Sequence, residues 1–206
     1  MAEPGRTAPT QTMSTRRMEA LSDGVFSIAM TLLVLEIAIP PGSQDLLHDF
    51  LHHWPAYLAY VVSFATIGGV WLAHNVITEF LTQAVPTLIR LNLILLMFVA
   101  FLPFPTRLLA EYLENVNQER VAATIYGTTL FTTNILVAVL WRYAASRQLI
   151  GTAGDDPDIK LFSRRLTPAL GGYVVLIVVG LFFPLIAVFG YLLVAVNLLI
   201  PIRRHR

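Results

Sequence analysis

Cysteine is absent from this chain, which excludes disulfide frameworks, thiolate nucleophiles and cysteine metal sites. Charge is scarce too: 13% of the 206 residues are Asp, Glu, Lys or Arg, against roughly 25% in ordinary globular domains. The formal net charge is only +1, and the arginines stand beside apolar runs rather than together on one polar surface, so nucleic acid is not an expected partner. No Gly-rich phosphate loop, no HExxH string and no Ser/His/Asp set with supporting context occurs, and the chain is read as no enzyme. Nor is any stretch between the apolar runs long enough to build a separate soluble core.

What the chain has in abundance is apolar surface: 56% of its residues are hydrophobic and the mean hydropathy is +0.67. Such a composition makes the lipid bilayer its expected solvent. A helix rising about 1.5 Å per residue needs roughly 20 apolar residues to cross a hydrocarbon slab about 30 Å thick. On that ruler the first run extends from Met18 to Ile39 and stops at Pro40-Pro41. The second runs from Trp54 to about Asn75, the third from about Pro86 to Leu102, and the fourth from near Val121 to Arg142. The stretch Ala169 to Ile202 is too long for one crossing and carries Pro184 near its middle, where a helix breaks. The expected fold is therefore all-α, a polytopic membrane protein with six transmembrane helices. Residues 1–15, rich in Pro, Thr, Gly and Gln, read as a disordered tail, and residues 16–206 as a single transmembrane domain. The first run is too long for a signal-peptide core and no small-residue cleavage site follows it, so it reads as a retained span.

Six crossings place both termini on one side, and the basic residues test that count. Arg16, Arg17, Arg90, Arg142, Arg147, Lys160, Arg164, Arg165 and the C-terminal arginines fall on the terminus side, while Arg107 and Arg120 alone fall on the other. Both termini are expected in the cytoplasm, with the protein multi-pass in the plasma membrane. The opposite side carries Asp45, Asp49, Glu111, Glu114 and Glu119. A negative mouth concentrates cations over distances of about 10 Å at 0.1 M salt, although ordinary solvation of loops explains these acids equally.

Ionisable groups within a span cost at least about 2.5 kcal/mol at mid-membrane, so each one asks for a reason. Asp23, Glu36 and His74 qualify. Asp23 has Glu19 four residues before it and Phe26 and Ser27 after it, so no basic partner lies one turn away on its own helix. The second run returns to the depth of Asp23 and brings Trp71 and His74, three apart on one face. A polar knot of Arg17, Ser22, Asp23, Trp71 and His74 is the expectation, and locking the first two helices together is a sufficient role for it. Glu36 stands near the far end of the first run, beside Pro40, within reach of headgroup water. Asp45, His48, Asp49, His52 and His53 have spacings of three and four that could line one face of a short helix and bind zinc, but an amphipathic outer loop explains them as well and no metal site is assigned.

Along the first span Ile28, Thr31, Leu32 and Leu35 recur at i, i+3, i+4 and i+7, a single stripe. The string from Arg17 to Ile37, with Trp71-Leu-Ala-His74 and Phe101-Leu-Pro-Phe-Pro-Thr106, resembles the endosomal and lysosomal potassium channel family of the transmembrane protein 175 type, over roughly Arg17 to Pro201. The family signature is Arg-x-x-x-Phe-Ser-Asp. Arg17, Ser22 and Asp23 match it, Leu21 replaces the Phe, and Asn75 stands where many bacterial members have a second His.

The resemblance implies a homotetramer in which the first helix of each subunit lines a central pore. By position, Ile28 forms the narrowest ring, with Leu32 and Leu35 as further constriction residues and Thr31 and Ser27 as pore-lining polar groups. A ring of isoleucines gates by dewetting, while a hydroxyl replaces part of a cation's hydration. No TVGYG-like string supplies rings of carbonyls, so the implied activity is a potassium-permeable, modestly selective cation channel. Passive transport requires no cofactor beyond permeant potassium ions in the pore. Two other readings fit the residues: a proton-coupled secondary transporter using Asp23, Glu36 or His74, and a non-conducting membrane scaffold.

Overall fold

The computed structural model describes residues 14–37, 45–115, 118–151 and 157–199, with side chains from Pro168 onward in the last stretch. Its architecture is all-helical. Helix α1 spans Thr15–Leu32 and tightens into a 3-10 turn over Leu33–Glu36. A short helix α2, Leu46–His52, is capped by Asp45, whose Oδ1 accepts from the His48 backbone N–H at 3.0 Å. The remaining helices are α3 (Trp54–Phe80), α4 (Pro86–Phe101), α5 (Pro103–Tyr112), α6 (Glu119–Ser146), α7 (Pro157–Gly180) and α8 (Pro184–Leu199).

Four segments are long and apolar enough to cross a membrane: Thr15–Glu36, Trp54–Phe80, Pro86–Tyr112 and Glu119–Ser146. Two shorter apolar helices, Pro168–Gly180 and Pro184–Leu199, complete the described set. The break between them falls at Pro184, as expected. Several other boundaries move outward from the apolar runs, because backbone hydrogen bonding continues past the last apolar side chain. Thus α3 continues beyond Asn75 to Phe80, and α7 begins at Pro157 and carries Pro168 within it. Thr15, assigned from sequence to the tail, is the first residue of α1; residues 1–13 of that tail, Pro40-Pro41 and the C-terminal arginines lie outside the described residues.

The third span does not end at Leu102. Pro103 and Pro105 lack the N–H groups that would extend α4, yet both sit in the first turn of α5, where no intrahelical donor is needed. The chain therefore breaks stride and resumes. The Leu102 carbonyl accepts from both the Thr106 backbone N–H at 3.2 Å and Thr106 Oγ1 at 2.8 Å, which fastens the first turn of α5. At the end of α6, Gln148 adopts a φ of 55°. The Leu149 and Gln148 N–H groups then bond back to the Ala144 and Ala145 carbonyls at 3.0 and 3.2 Å, a Schellman closure built without glycine.

Helix α3 is the hub. It packs most extensively on α8 and also on α5, α1 and α6, while α4 lies against α1 and α6, and α7 against α6 and α8. Small residues make the α3–α8 approach possible: a Cβ added to Gly69 would lie 2.8 Å from Leu198 Cβ. The Ser63 hydroxyl lies 2.7 Å from Thr106 Oγ1 and 2.8 Å from the Tyr126 hydroxyl, joining α3, α5 and α6 inside the bundle. Tyr126, Tyr173 and Tyr191 are fully buried, with ring centroids 5.9 and 6.0 Å apart on either side of Tyr191.

A Cβ on Gly127 would overlap the Tyr191 hydroxyl. Gly127→Ala is therefore expected to destabilise the fold by about 1–3 kcal/mol, the usual cost of overpacking. The second change Tyr191→Leu should recover most of that loss in thermal unfolding followed by intrinsic fluorescence. A single variant that melts with the wild type would contradict this packing.

Candidate functional site

Helix α1 has two unlike faces. Met18, Ser22, Phe26, Ala29 and Leu33 are buried, a stripe spaced by three and four that packs on α3 and α4. The other face carries Leu21, Gly24, Ser27, Ile28, Thr31, Leu32 and Leu35, all exposed. Ile28 is 61% exposed and Leu35 69%, and nothing approaches a Cβ built on Gly24. Only 28% of the most apolar stretch of this span is buried, against 50% in α3 and 56% in α6, so α1 is the long span least covered by the rest of the chain.

Two hydroxyls interrupt that exposed face. Ser27 Oγ donates to the Asp23 carbonyl at 2.7 Å, and Thr31 Oγ1 to the carbonyls of Ile28 and Ser27 at 2.9 and 3.1 Å. Each hydroxyl proton is thereby turned back onto the helix, which leaves oxygen lone pairs directed away from it. An exposed stripe of this kind offers alternating apolar side chains and acceptor oxygens to whatever it faces.

At the Thr15 end of α1 lies a buried polar network. Trp71 Nε1 donates to Asp23 Oδ1 at 3.0 Å. Ser22 and His74, both fully buried, share no hydrogen bond; Asn92 of α4 bridges them. Its Nδ2 donates to Ser22 Oγ at 3.0 Å, and its Oδ1 lies 2.8 Å from His74 Nε2. Ser22 Oγ in turn donates to the Met18 carbonyl at 2.8 Å. Since Asn92 Oδ1 only accepts, this geometry places the His74 proton on Nε2 and leaves Nδ1 without a partner. The His74 ring also lies 5.6 Å from that of Phe26.

The network ties three helices rather than the two expected, and its central residue was not anticipated. A signal for it exists, because Asn92 is the lone polar residue between Arg90 and Pro103 in the third apolar run. Arg17 needs correction: its side chain is exposed, and it has no hydrogen bond or ion pair to the other four members of the expected knot. Six residues separate it from Asp23 on α1, which directs the two side chains to different faces.

The opposite end of the helical bundle holds the remaining charged candidates. Arg107 Nε donates to Glu111 Oε1 at 2.7 Å, and Trp54 Nε1 to Glu114 Oε1 at 2.9 Å. His52 Nε2 lies 3.8 Å from Glu114 Oε2. The expected face of α2 forms only in part: the His48 and His52 rings stack at 5.9 Å, while the His53 ring donates from Nδ1 to the Asp49 carbonyl at 2.7 Å. Among the described residues no three His, Asp or Glu side chains converge in a way that would hold a metal ion.

Comparison with known proteins accords with this arrangement. Residues 17–103 match the model of the family described as endosomal/lysosomal potassium channel TMEM175. A potassium channel of Chamaesiphon minutus is 39% identical over 173 residues, covering 82% of this chain and 84% of the relative. A potassium channel of Streptomyces collinus is 38% identical over 170 residues, covering 81% and 82%. The crystal structure of a lysosomal potassium-selective channel TMEM175 homolog from Chamaesiphon minutus superposes with a TM-score of 0.81 at 34% identity, over 89% of this chain and 95% of that one.

Proposed function

Since this chain belongs to the TMEM175 family, an ion-channel family and not an enzyme class, we propose that it is a potassium-permeable, modestly selective cation channel. In this reading four copies assemble about an axis, each crossing the plasma membrane six times with both termini cytoplasmic. The exposed faces of four α1 helices converge on that axis. The observation that carries the reading is the face itself, uncovered by its own subunit yet bearing Ser27 and Thr31 among Ile28, Leu32 and Leu35. Lipid-facing stripes have no use for acceptor oxygens, whereas a conduction path does.

Symmetry answers a physical objection, because six helices of one small chain enclose little aqueous space while four copies multiply a single lining helix. Ile28 forms the narrowest ring, a barrier of dewetting rather than of charge. One turn beyond it, Thr31 supplies oxygens that replace part of the water a potassium ion sheds, and Leu32 and Leu35 continue the apolar wall towards the external mouth. Four hydroxyl oxygens are fewer than the carbonyl rings of a dedicated filter, so preference for potassium over sodium is modest.

Reconstituted vesicles test this directly. The purified chain should run at the mass of four copies and release potassium down its gradient without a proton gradient. Thr31→Val, nearly isosteric but without the oxygen, should cut potassium flux about tenfold, equivalent to about 1.4 kcal/mol of barrier, and bring potassium and sodium rates together. Unaltered selectivity in Thr31→Val would remove the threonine from the path.

A further inference from the structure

At the external end of the proposed orientation a cavity of about 290 Å³ lies between the 3-10 turn after α1, the start of α3 and α5. From its composition we infer that it binds a small amphipathic primary ammonium ion, such as an arylmethylamine. Three carboxylates line it, Glu36, Glu111 and Glu114, against one guanidinium, Arg107.

The partners of these groups decide which of them remain available. Glu111 commits Oε1 to Arg107, leaving its second oxygen, whereas Glu114 has the Trp54 indole on Oε1 and His52 Nε2 3.8 Å from Oε2. Glu36, only partly exposed, makes no hydrogen bond or close ion pair with any described residue and feels Arg107 only through a longer-range attraction. An ammonium group has three donors and no acceptor, which suits an acceptor-rich cavity whose one fixed cation is already tethered. His52 and His53 complete the polar rim.

The rest of the lining is apolar, formed by Leu35, Pro55, Ala56 and Ala110. These walls match a short hydrocarbon body and would gain nothing from a bare cation. A divalent metal is disfavoured for the same reason, and because no three acidic or imidazole groups converge tightly enough to ligate one. The volume sits at the small end of the range for ligand pockets, roughly 300–1,000 Å³, which limits the occupant to about a single ring.

Leu35 belongs both to this cavity and to the exposed stripe of α1. An occupant therefore sits against the outer end of the conduction path, and its effect on flux rests on the pore reading above. Its binding does not.

The test uses the protein in lipid nanodiscs with 4-fluorobenzylamine followed by fluorine NMR, empty nanodiscs supplying the partition background. Saturable binding is expected, weakened at least tenfold in Glu36→Gln and in Ala110→Phe, which fills the cavity. Both variants should keep the wild-type melting temperature. Equal binding of 4-fluorobenzyl alcohol, or binding unchanged in Glu36→Gln, would overturn the proposal. External amine should also reduce potassium flux from vesicles. Saturable binding that Glu36→Gln abolishes without any effect on flux would uphold the cavity and contradict Leu35 as a neighbour of the pore.

Discussion

Ile28→Asn is expected to raise potassium flux at least tenfold in reconstituted vesicles. Ile28 is 61% exposed on the uncovered face of α1, and its side chain is not part of the buried core. Four isoleucines meeting at an axis repel water from a gap too narrow for a hydrated ion, so the barrier to permeation is largely the work of wetting that gap. Asparagine is shorter and carries both a donor and an acceptor, which lowers that work at each of four positions. A tenfold gain needs only about 1.4 kcal/mol in total. Because the side chain is not part of the subunit core, thermal stability should move little. Flux unchanged from the wild type would mean that Ile28 faces lipid or a partner helix instead.

The second large effect lies at the other end of the same helix. Asn92→Leu should lower the melting temperature by about 4–8 °C and reduce the yield of assembled protein. The substitution removes the donor to Ser22 Oγ and the acceptor for His74 Nε2 at once, within a site fully closed to solvent. Leaving buried polar partners unpaired costs about 1–3 kcal/mol, and interhelical hydrogen bonds in membranes average nearer 0.6 kcal/mol. Their combination gives about 2 kcal/mol, or 2–4 °C for each kcal/mol in a chain of this size. Arg17→Ala provides the contrast: its exposed side chain should be worth less than about 1 kcal/mol. Equal losses in the two variants would show that the network is centred on the motif arginine after all.

The difference between those two residues marks where sequence reading succeeds. Trp71 and His74 share a face at the depth of Asp23, and a period of 3.6 is enough to see it. That Asp23 takes the indole while His74 goes to Asn92 depends on where α4 stands, and no periodicity within α1 or α3 contains that position. That Arg17 and Asp23 stand on different faces follows from the helical period alone, whereas the exposure of the Arg17 side chain, with no bond to the other members of the network, depends on the packing of the neighbouring helices. The apolar runs locate the long helices because hydrocarbon thickness sets their length. They miss the ends, as with α3 running on to Phe80 and α5 resuming after Pro103, because a helix needs backbone donors and acceptors rather than apolar side chains to continue. The exposed stripe of α1 is a further case. Almost any stripe can be drawn on a membrane helix, and the burial of Met18, Ser22, Phe26, Ala29 and Leu33 behind this one is what separates it from the others.

The absence of native cysteine makes one measurement especially direct. In Ile28→Cys the only thiols in the assembly stand at the proposed constriction, and silver ion, monovalent and thiol-reactive, enters wherever potassium does. External silver should abolish potassium flux through Ile28→Cys in reconstituted vesicles and spare the wild type. Full flux after mass spectrometry shows the thiol modified would place the conduction path somewhere other than the α1 face.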